Sequence, residues 1–102
     1  MKCVYTPTAE QQIERQLEYG IERFGMTATT RTALRLRSYV RDVLALHPRV
    51  GTALPSIGAF EAWVPRTPFV IIYRIDETAD ILRVVAIFHH AQDRKSFDPD
   101  TA

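Results

Sequence analysis

Apolar side chains return every three or four positions through residues 7–24, and this stretch is predicted as the first helix. Thr6 before Pro7 is a favourable cap, and a capping box beginning at Thr8 offers a start one turn later. Gly25 is a natural C-terminal stop. The apolar stripe that this helix should bury consists of Ala9, Ile13, Leu17, Gly20, Ile21 and Phe24.

A second helix is predicted after the short connection GMTATT, whose threonines Thr27, Thr29 and Thr30 are candidate caps. Pro48 ends it, because the residue before a proline disfavours the α region. A connection this short makes the two helices an antiparallel hairpin. The face that the second helix should bury consists of Ala33, Leu36, Val40, Val43, Leu44 and His47.

The two predicted helices carry opposite charges on their flanks. We expect ion pairs between these flanks on the surface, worth about 0.2–1 kcal/mol each. The acidic flank is Glu10, Glu14, Glu18 and Glu22, and the basic flank is Arg31, Arg35, Arg37 and Arg41.

The rest of the chain is strand-like. Strands are predicted at 2–5, 59–64, 69–75 and 81–89, with a loop over 48–58. Short connections between the last three indicate an antiparallel meander. The order predicts a single α+β domain, β-α-α-β-β-β, with a helical hairpin packed on an antiparallel sheet. Residues 94–102 are polar, and we expect this tail to add little stability.

Two of the predicted strands are apolar on both faces. A sheet with one wet face should alternate apolar and polar residues, but FVIIY at 69–73 and LRVVAIF at 82–88 do not. Two helices cover only one face. Exposed apolar patches usually mark interfaces, so this pattern predicts a partner.

Length and charge exclude several classes of protein. The 102 residues fit one domain, and the single Cys3 and three histidines exclude a disulfide scaffold and the common zinc sites. No apolar run approaches the ~18 residues of a membrane span, and a cytoplasmic protein is expected. A net charge of +1 argues against a protein that binds membrane surfaces or polyanions in general. Direct sequence-specific binding of DNA is not expected either.

Several segments in order resemble the ParE/RelE toxin superfamily. TPTAEQQIERQLEYGIERFG is similar to the first helix of ParE-type toxins, and RLRSYVRDVLALHPRVG to the second with its Leu-x-x-x-Pro-x-x-Gly turn. FEAWVPRTPFVIIYRIDETADILRVVAIFHHAQDR resembles their C-terminal sheet, and the likeness spans about 3–95. The matching positions in that sheet are Glu61, Pro68, Phe69, Val70, Tyr73, Arg74, Ile81, Leu82, Arg83, Val84, His89 and Asp93.

The resemblance implies a bacterial growth-inhibiting toxin of the plasmid-stabilisation type, held in a hetero-oligomer by a ParD-like antitoxin and needing no cofactor or metal. ParE-type members are similar to DNA gyrase inhibitors, whereas RelE-type members are ribosome-dependent mRNA endonucleases. Val70 stands where the RelE-type strand often has arginine, Gln92 departs from both branches, and no tyrosine follows Tyr73. Val70 and the missing tyrosine favour gyrase inhibition over an enzyme, whereas Gln92 fits neither branch and points to no role for that position.

Two alternatives stay open. The first is a RelE-like nuclease, for which the candidate catalytic residues are Arg74, Arg83, His89 and His90. Because neighbouring strand residues point to opposite faces, the two histidines are not expected to act as an acid–base pair. The second alternative is a non-toxic homologue that only binds antitoxins.

His47, at a helix end, is expected to have a structural role, because its charge is favourable at the C-terminal end of a helix.

Candidate contact residues fall into two sets. Arg74 and Arg83 are expected to pair with Glu61, Asp76 or Asp80, ahead of a contact with the target. Trp63 is expected in the core ahead of a partner contact. The full set of target-contact candidates is Arg74, Arg83, His89, Asp93 and Arg94. The antitoxin-binding candidates are Tyr19, Leu34, Tyr39, Leu46, Arg31, Arg35 and Trp63. Of these, Tyr19, Leu34, Tyr39 and Leu46 are large side chains that fall outside the apolar stripes of the two helices.

Overall fold

A computed structural model describes residues 1–90 of the chain. Two helices follow the first strand, and the remaining strands come after them. The strands are β1 (Lys2–Tyr5), β2 (Thr52–Leu54), β3 (Ala59–Trp63), β4 (Phe69–Asp76) and β5 (Ile81–His89). The helices are α1 (Pro7–Phe24) and α2 (Met26–Tyr39), and α2 continues into a π-helical turn (Val40–Leu44). The predicted tail from residue 94 lies outside the described residues.

The strands form one five-stranded sheet in the order β1-β5-β4-β3-β2. β2, β3, β4 and β5 pair antiparallel with their neighbours, while β1 pairs parallel with β5. A helical hairpin therefore packs on a mixed sheet. The predicted α+β fold class is confirmed, with β1 as its one parallel member and β2 as a strand that the sequence pattern did not predict.

The start of α1 is as predicted, but the turn between the helices is tighter. The Thr6 hydroxyl accepts a hydrogen bond from the Ala9 amide at 3.2 Å, so the cap is Thr6 and not Thr8. Gly25 alone joins α1 to α2, with φ 86°, in the region that favours glycine. The predicted loop GMTATT is wrong, because one left-handed residue reverses the chain and leaves the threonines inside α2.

The core lies between the helical hairpin and the sheet. Ala9 and Ile13 of α1 and Leu36, Val40 and Leu44 after it are buried there. Their partners from the sheet are Ala62, Val64, Phe69, Ile71, Tyr73, Leu82, Val84 and Ile87. His47, predicted on the buried face, is exposed, since the π-helical turn at 40–44 changes the helical phase before it.

An extra residue in β5 changes which way its side chains point. Ile72 pairs with Ala86 and Tyr73 pairs with Val84, so Val85 has no partner of its own in β4. Such a bulge places two successive residues against one on the neighbouring strand. Val85 and Ala86 are both buried with Ile72 on the outer face. The apolar run at 84–87 is therefore buried on both faces of the sheet, Val84 and Ile87 on one and Val85 and Ala86 on the other.

Within the predicted loop over 48–58, Thr52–Leu54 forms a strand of the sheet, so the loop prediction is wrong for those residues. β2 pairs with β3, and a 3-10 turn follows at Pro55–Ile57. Leu54 and Ile57 pack on the outer face of the sheet against a cluster that includes Ala59. The local sequence does not predict β2, because a strand of three residues is too short to show a pattern and is stabilised by its pairing with β3.

Tyr73 attaches this segment to the sheet. Its side chain is fully buried, and its hydroxyl donates to the Pro48 carbonyl at 2.6 Å and accepts from the Gly51 amide at 3.2 Å. Burial raises the pKa of this phenol above its ordinary value. The Phe60 ring stacks on it at 5.5 Å between centroids.

We therefore expect Tyr73→Phe to lower the free energy of unfolding by about 1–3 kcal/mol, because it leaves a carbonyl and an amide without a partner. Thermal unfolding followed by circular dichroism measures this loss. Tyr19→Phe is the matched control, since Tyr19 is exposed. Equal losses in the two variants would contradict the role assigned to the Tyr73 hydroxyl.

Candidate functional site

A charged contact near β1 ties the helical hairpin to the sheet. Arg37 of α2 donates to both carboxylate oxygens of Glu10 in α1, at 3.1 and 3.2 Å. Its guanidinium also lies 4.4 Å from the centre of the Tyr5 ring. The hydrogen bonds that Arg37 donates to Glu10 raise the pKa of Arg37, and burial raises the pKa of Tyr5. Pairing between the acidic and basic flanks is thus confirmed for this pair.

The far half of the hairpin is not covered by the sheet. Ile21 and Phe24, predicted to be buried, are exposed, Phe24 by 69%. The apolar stripe of α1 continues to Phe24, but the sheet does not extend that far beneath the helix. The predicted burial of Ile21 and Phe24 is therefore wrong. Large apolar side chains exposed in this half of the hairpin are Tyr19, Ile21, Phe24, Met26 and Leu34.

Three of the four predicted off-stripe residues are exposed and one is not. Tyr19 and Leu34 lie on the hairpin, and Leu46 follows the π-helical turn. Tyr39 instead packs against the core and is half-buried. The expectation that Tyr39 lies clear of the core is therefore wrong.

A groove of about 550 Å³ runs between α2 and the β3–β4 turn. Its apolar part is formed by Leu34, Val43, Val64 and Pro65, and Tyr39 also lines it. Arg31 and Arg35, both predicted for the antitoxin, lie along it with Arg66 from the turn. Arg66 was not singled out in the sequence, because its position depends on how the turn meets α2.

Two arginines face each other on the outer face of the sheet. Arg74 of β4 and Arg83 of β5 are direct cross-strand partners, and both are half-buried. Arg74 donates to the Ile57 carbonyl at 2.9 Å. The predicted pairing of Arg83 with Asp76 or Asp80 is not found within residues 1–90; Asp76 accepts from the Ala79 amide instead.

Trp63 is on the surface, so its predicted place in the core is wrong. Its side chain is 56% exposed, and its indole N–H donates to Glu61 at 3.2 Å. Trp63 pairs with Val70, which puts it on the outer face, away from the helices. Val70 itself is fully buried.

The two histidines at the end of β5 lie side by side. The His89 and His90 rings stack at 4.6 Å between centroids, although strand alternation predicted opposite faces. β5 ends at His89, so the alternation does not extend to His90. His89 lines a cleft of about 330 Å³ under the hairpin, beside Phe69. His90 is exposed near the Trp63 ring.

The fold does not bring the four candidate nuclease residues together. Arg83 and His89 lie six residues apart on one strand, roughly 20 Å at the rise of a β-strand. The bulge at Val85 also puts them on opposite faces, with Arg83 outward and His89 against the hairpin. Asp93 and Arg94, the other target-contact candidates, lie outside the described residues.

Two further features of the described part of the chain concern ligands and membranes. Residues 1–90 hold no group of three or more His, Cys, Asp or Glu side chains placed to share a metal ion. No helix in the same range has the length and hydropathy needed to cross a membrane.

We expect Arg83→Glu to raise the free energy of unfolding by about 0.2–1 kcal/mol, because it replaces a like-charge cross-strand pair with an opposite-charge pair. Urea unfolding measures the gain. Arg15→Glu, an equal change in net charge on an exposed part of α1, should give no gain. A loss of stability in Arg83→Glu would mean that Arg83 is held by a structural contact.

Comparison with known proteins gives a family and a fold. The family described as the ParE toxin of the type II toxin–antitoxin system, parDE, matches residues 3–94. No curated protein matches the sequence.

Two solved structures share the architecture. A chain of the chromosomal ParDE toxin–antitoxin system from P. aeruginosa superposes with a TM-score of 0.67 at 14% identity, over 87% of this chain and 95% of that one. A chain of the RelBE2 toxin–antitoxin complex from Mycobacterium tuberculosis gives 0.62 at 20% identity, over 86% and 95%. At these identities the likeness is one of fold. The family match over nearly the whole chain shows that this protein belongs to the ParE toxins of type II toxin–antitoxin systems.

Proposed function

We propose that this ParE-family toxin inhibits DNA gyrase, has no nuclease centre of its own, and is neutralised by a cognate antitoxin. The observation that carries this choice is Val70, the second residue of β4, whose side chain is fully buried. The position corresponds to a cation in the RelE-type enzymes that the sequence resembles. A buried valine cannot stabilise the extra negative charge of a cleaving phosphate.

The surroundings of Val70 support the same choice. Its cross-strand partners are Trp63 and Phe88, so the outer face is apolar at this end of β4. The half-buried arginines lie toward the β4–β5 turn, and the histidines lie at the other end of β5. Acid–base catalysis needs its groups within hydrogen-bond reach of one substrate, and this spacing does not provide that. Arg74 and Arg83 are better suited to contact with the target.

A RelE-like endonuclease is the second candidate. The stacked pair His89 and His90 favours it, because imidazole rings are the commonest groups for proton transfer near neutral pH. In that case one histidine would act at the end of β5, and the arginine pair would bind RNA elsewhere. Both candidates place the toxin in the cytoplasm, with gyrase or with ribosomes.

We expect the purified protein to inhibit supercoiling of plasmid DNA by gyrase and to leave mRNA on programmed ribosomes intact. Arg83→Ala should weaken the inhibition while the circular dichroism spectrum is unchanged. Arg15→Ala is the control for loss of one positive charge. Supercoiling is measured by gel electrophoresis, and mRNA ends by primer extension.

Each other outcome of these two assays assigns a different function. Cleavage of mRNA that is lost in His89→Ala or His90→Ala would establish the endonuclease. No effect in either assay, together with normal growth on expression, would establish the non-toxic antitoxin-binding homologue.

The exposed half of the hairpin is the surface that we propose for the antitoxin. Tyr19 and Leu34 are 51% and 62% exposed there, an arrangement that an added apolar helix would cover. Leu46 and Trp63 are exposed elsewhere on the protein. Tyr39, being half-buried, would contribute through the part of its ring that faces the groove.

Replacing Tyr19 and Leu34 together with alanine should weaken binding of the antitoxin encoded beside the toxin gene by at least ~2 kcal/mol, the level of interface hot spots. Isothermal titration calorimetry measures the affinity. Val50→Ala is the matched control, since Val50 is exposed but lies outside the hairpin. Unchanged affinity in a folded double variant would place the antitoxin on another surface.

A further inference from the structure

We propose that the solvent-facing side of the helical hairpin binds a second copy of this chain, with α1 of each copy packed on α2 of the other. The partner is neither the antitoxin nor the target, so the inference goes beyond the proposed function. It rests on an apolar dent between the two helices and on charges of opposite sign on either side of it.

The dent between α1 and α2 has a volume of about 260 Å³. Leu17 and Ile21 line it from α1, and Ala33 and Leu34 line it from α2. Its lining residues within 1–90 all belong to the two helices, so it opens away from the sheet. Ile21 and Leu34 are exposed to solvent. The dent therefore provides the apolar centre of an interface.

The charges beside the dent are not neutralised within the chain. Glu14 and Glu18 of α1 form no ion pair within residues 1–90, and neither do Arg31 and Arg35 of α2. Of the acidic and basic flanks, only Glu10 and Arg37 pair with each other across the hairpin. Two carboxylates on one helix and two guanidinium groups on the other are thus left for a partner.

Helical spacing places Glu18 and Arg31 on the side of the hairpin opposite the core. Glu18 lies nine residues after Ala9, and Arg31 lies two residues after Thr29. Ala9 and Thr29 are buried, whereas both charged residues are exposed. At about 3.6 residues per turn, each charged residue is close to half a turn round its helix from the buried one.

Glu18 and Arg31 also lie at the same level along the hairpin. The helices touch at Gly20 and Thr29, since a Cβ atom on Gly20 would lie 2.8 Å from the Thr29 hydroxyl oxygen. Because the helices are antiparallel, two residues back along α1 and two residues forward along α2 lead to Glu18 and Arg31. The acidic side chain of one helix therefore has a basic side chain beside it on the other.

A two-fold axis that runs along the hairpin, between the helices, uses this alignment. Rotation about it places α1 of one copy over α2 of the other and keeps every residue at its level. Glu18 of each copy then meets Arg31 of the other, and Glu14 meets Arg35 about one turn further along. A surface with an acidic side, an apolar centre and a basic side is thus complementary to itself, as an isologous dimer requires.

The hairpin offers enough area for a weak dimer. α1 has 18 residues, which at a rise of about 1.5 Å per residue gives a length of ~27 Å, and two helices side by side are about 20 Å wide. The footprint is then roughly 500 Å² per copy, just below the range of about 600–1,000 Å² per partner in stable interfaces. Such an interface fits a dimer with a dissociation constant in the micromolar range. Leu34 also belongs to the surface proposed for the antitoxin, so antitoxin and second copy would compete.

The test measures self-association of the full-length protein by sedimentation velocity over a range of concentrations. We expect the unchanged protein to dimerise. Glu18→Arg and Arg31→Glu, each alone, should lower the association constant by at least roughly tenfold, because each puts two like-charge pairs into the interface. Lys2→Glu is the matched control, since it makes the same charge change as Arg31→Glu at an exposed position of β1. It should dimerise like the unchanged protein.

An equimolar mixture of Glu18→Arg and Arg31→Glu separates contact between copies from damage to a single chain. In the mixed dimer the two substituted side chains face each other with opposite charges, and the unchanged Arg31 and Glu18 meet as before. The mixture should dimerise as strongly as the unchanged protein, although neither variant does so alone. The same recovery is expected when one chain carries both substitutions, which leave its net charge unchanged.

Three results would overturn the proposal. They are an unchanged protein that stays monomeric at roughly 100 µM, single variants that dimerise as well as the control, and a mixture of folded variants that stays monomeric. Circular dichroism checks the fold of each variant. If either variant unfolds, Glu14→Arg with Arg35→Glu applies the same test to the second pair. The assay contains neither gyrase nor antitoxin, so its outcome is independent of whether the proposed function is correct.

Discussion

The pairing of β4 with β5, including the extra residue Val85, is the constraint on which the rest of the structure depends. Before the bulge, Leu82 and Val84 face the helices and Arg83 faces outward; after it, Ile87 and His89 face the helices. A single unpaired residue thus decides which charged side chains share a face. Without it Arg83 and His89 would lie on the same face of the sheet, as the residues of a common site would need to.

The hairpin is attached to this sheet at one end only. Glu10, Arg37 and Tyr5 form the contact near β1, and apolar packing of the first half of α1 continues it. Leu17 still packs against the core, and beyond it the large apolar side chains of α1 are exposed. The uncovered half of the hairpin therefore exposes apolar side chains that are not part of the core. Such side chains lower the solubility of the free protein, and a bound antitoxin would cover them.

The surfaces proposed for the target and for the antitoxin lie on different sides of the protein. The arginine pair of β4 and β5 lies on the outer face of the sheet, whereas the hairpin and the groove beside α2 lie on the helical side and its edge. An antitoxin that covers the hairpin need not touch the arginines directly. The antitoxin would then block the target by its size, or by a second segment that reaches the arginines. Variants of the arginine pair and of the hairpin, tested separately for antitoxin binding, distinguish these two cases.

Sequence alone determined the order of the elements and most of their bounds, because helical and strand periodicity are local properties. It also determined the likeness to ParE toxins, through short motifs kept in order. Tertiary structure decided the rest. The bulge at Val85, the strand at 52–54 and the exposure of Phe24 and Trp63 depend on where the sheet ends and which strand lies beside which. These are relations between residues far apart in the chain, and no local pattern encodes them.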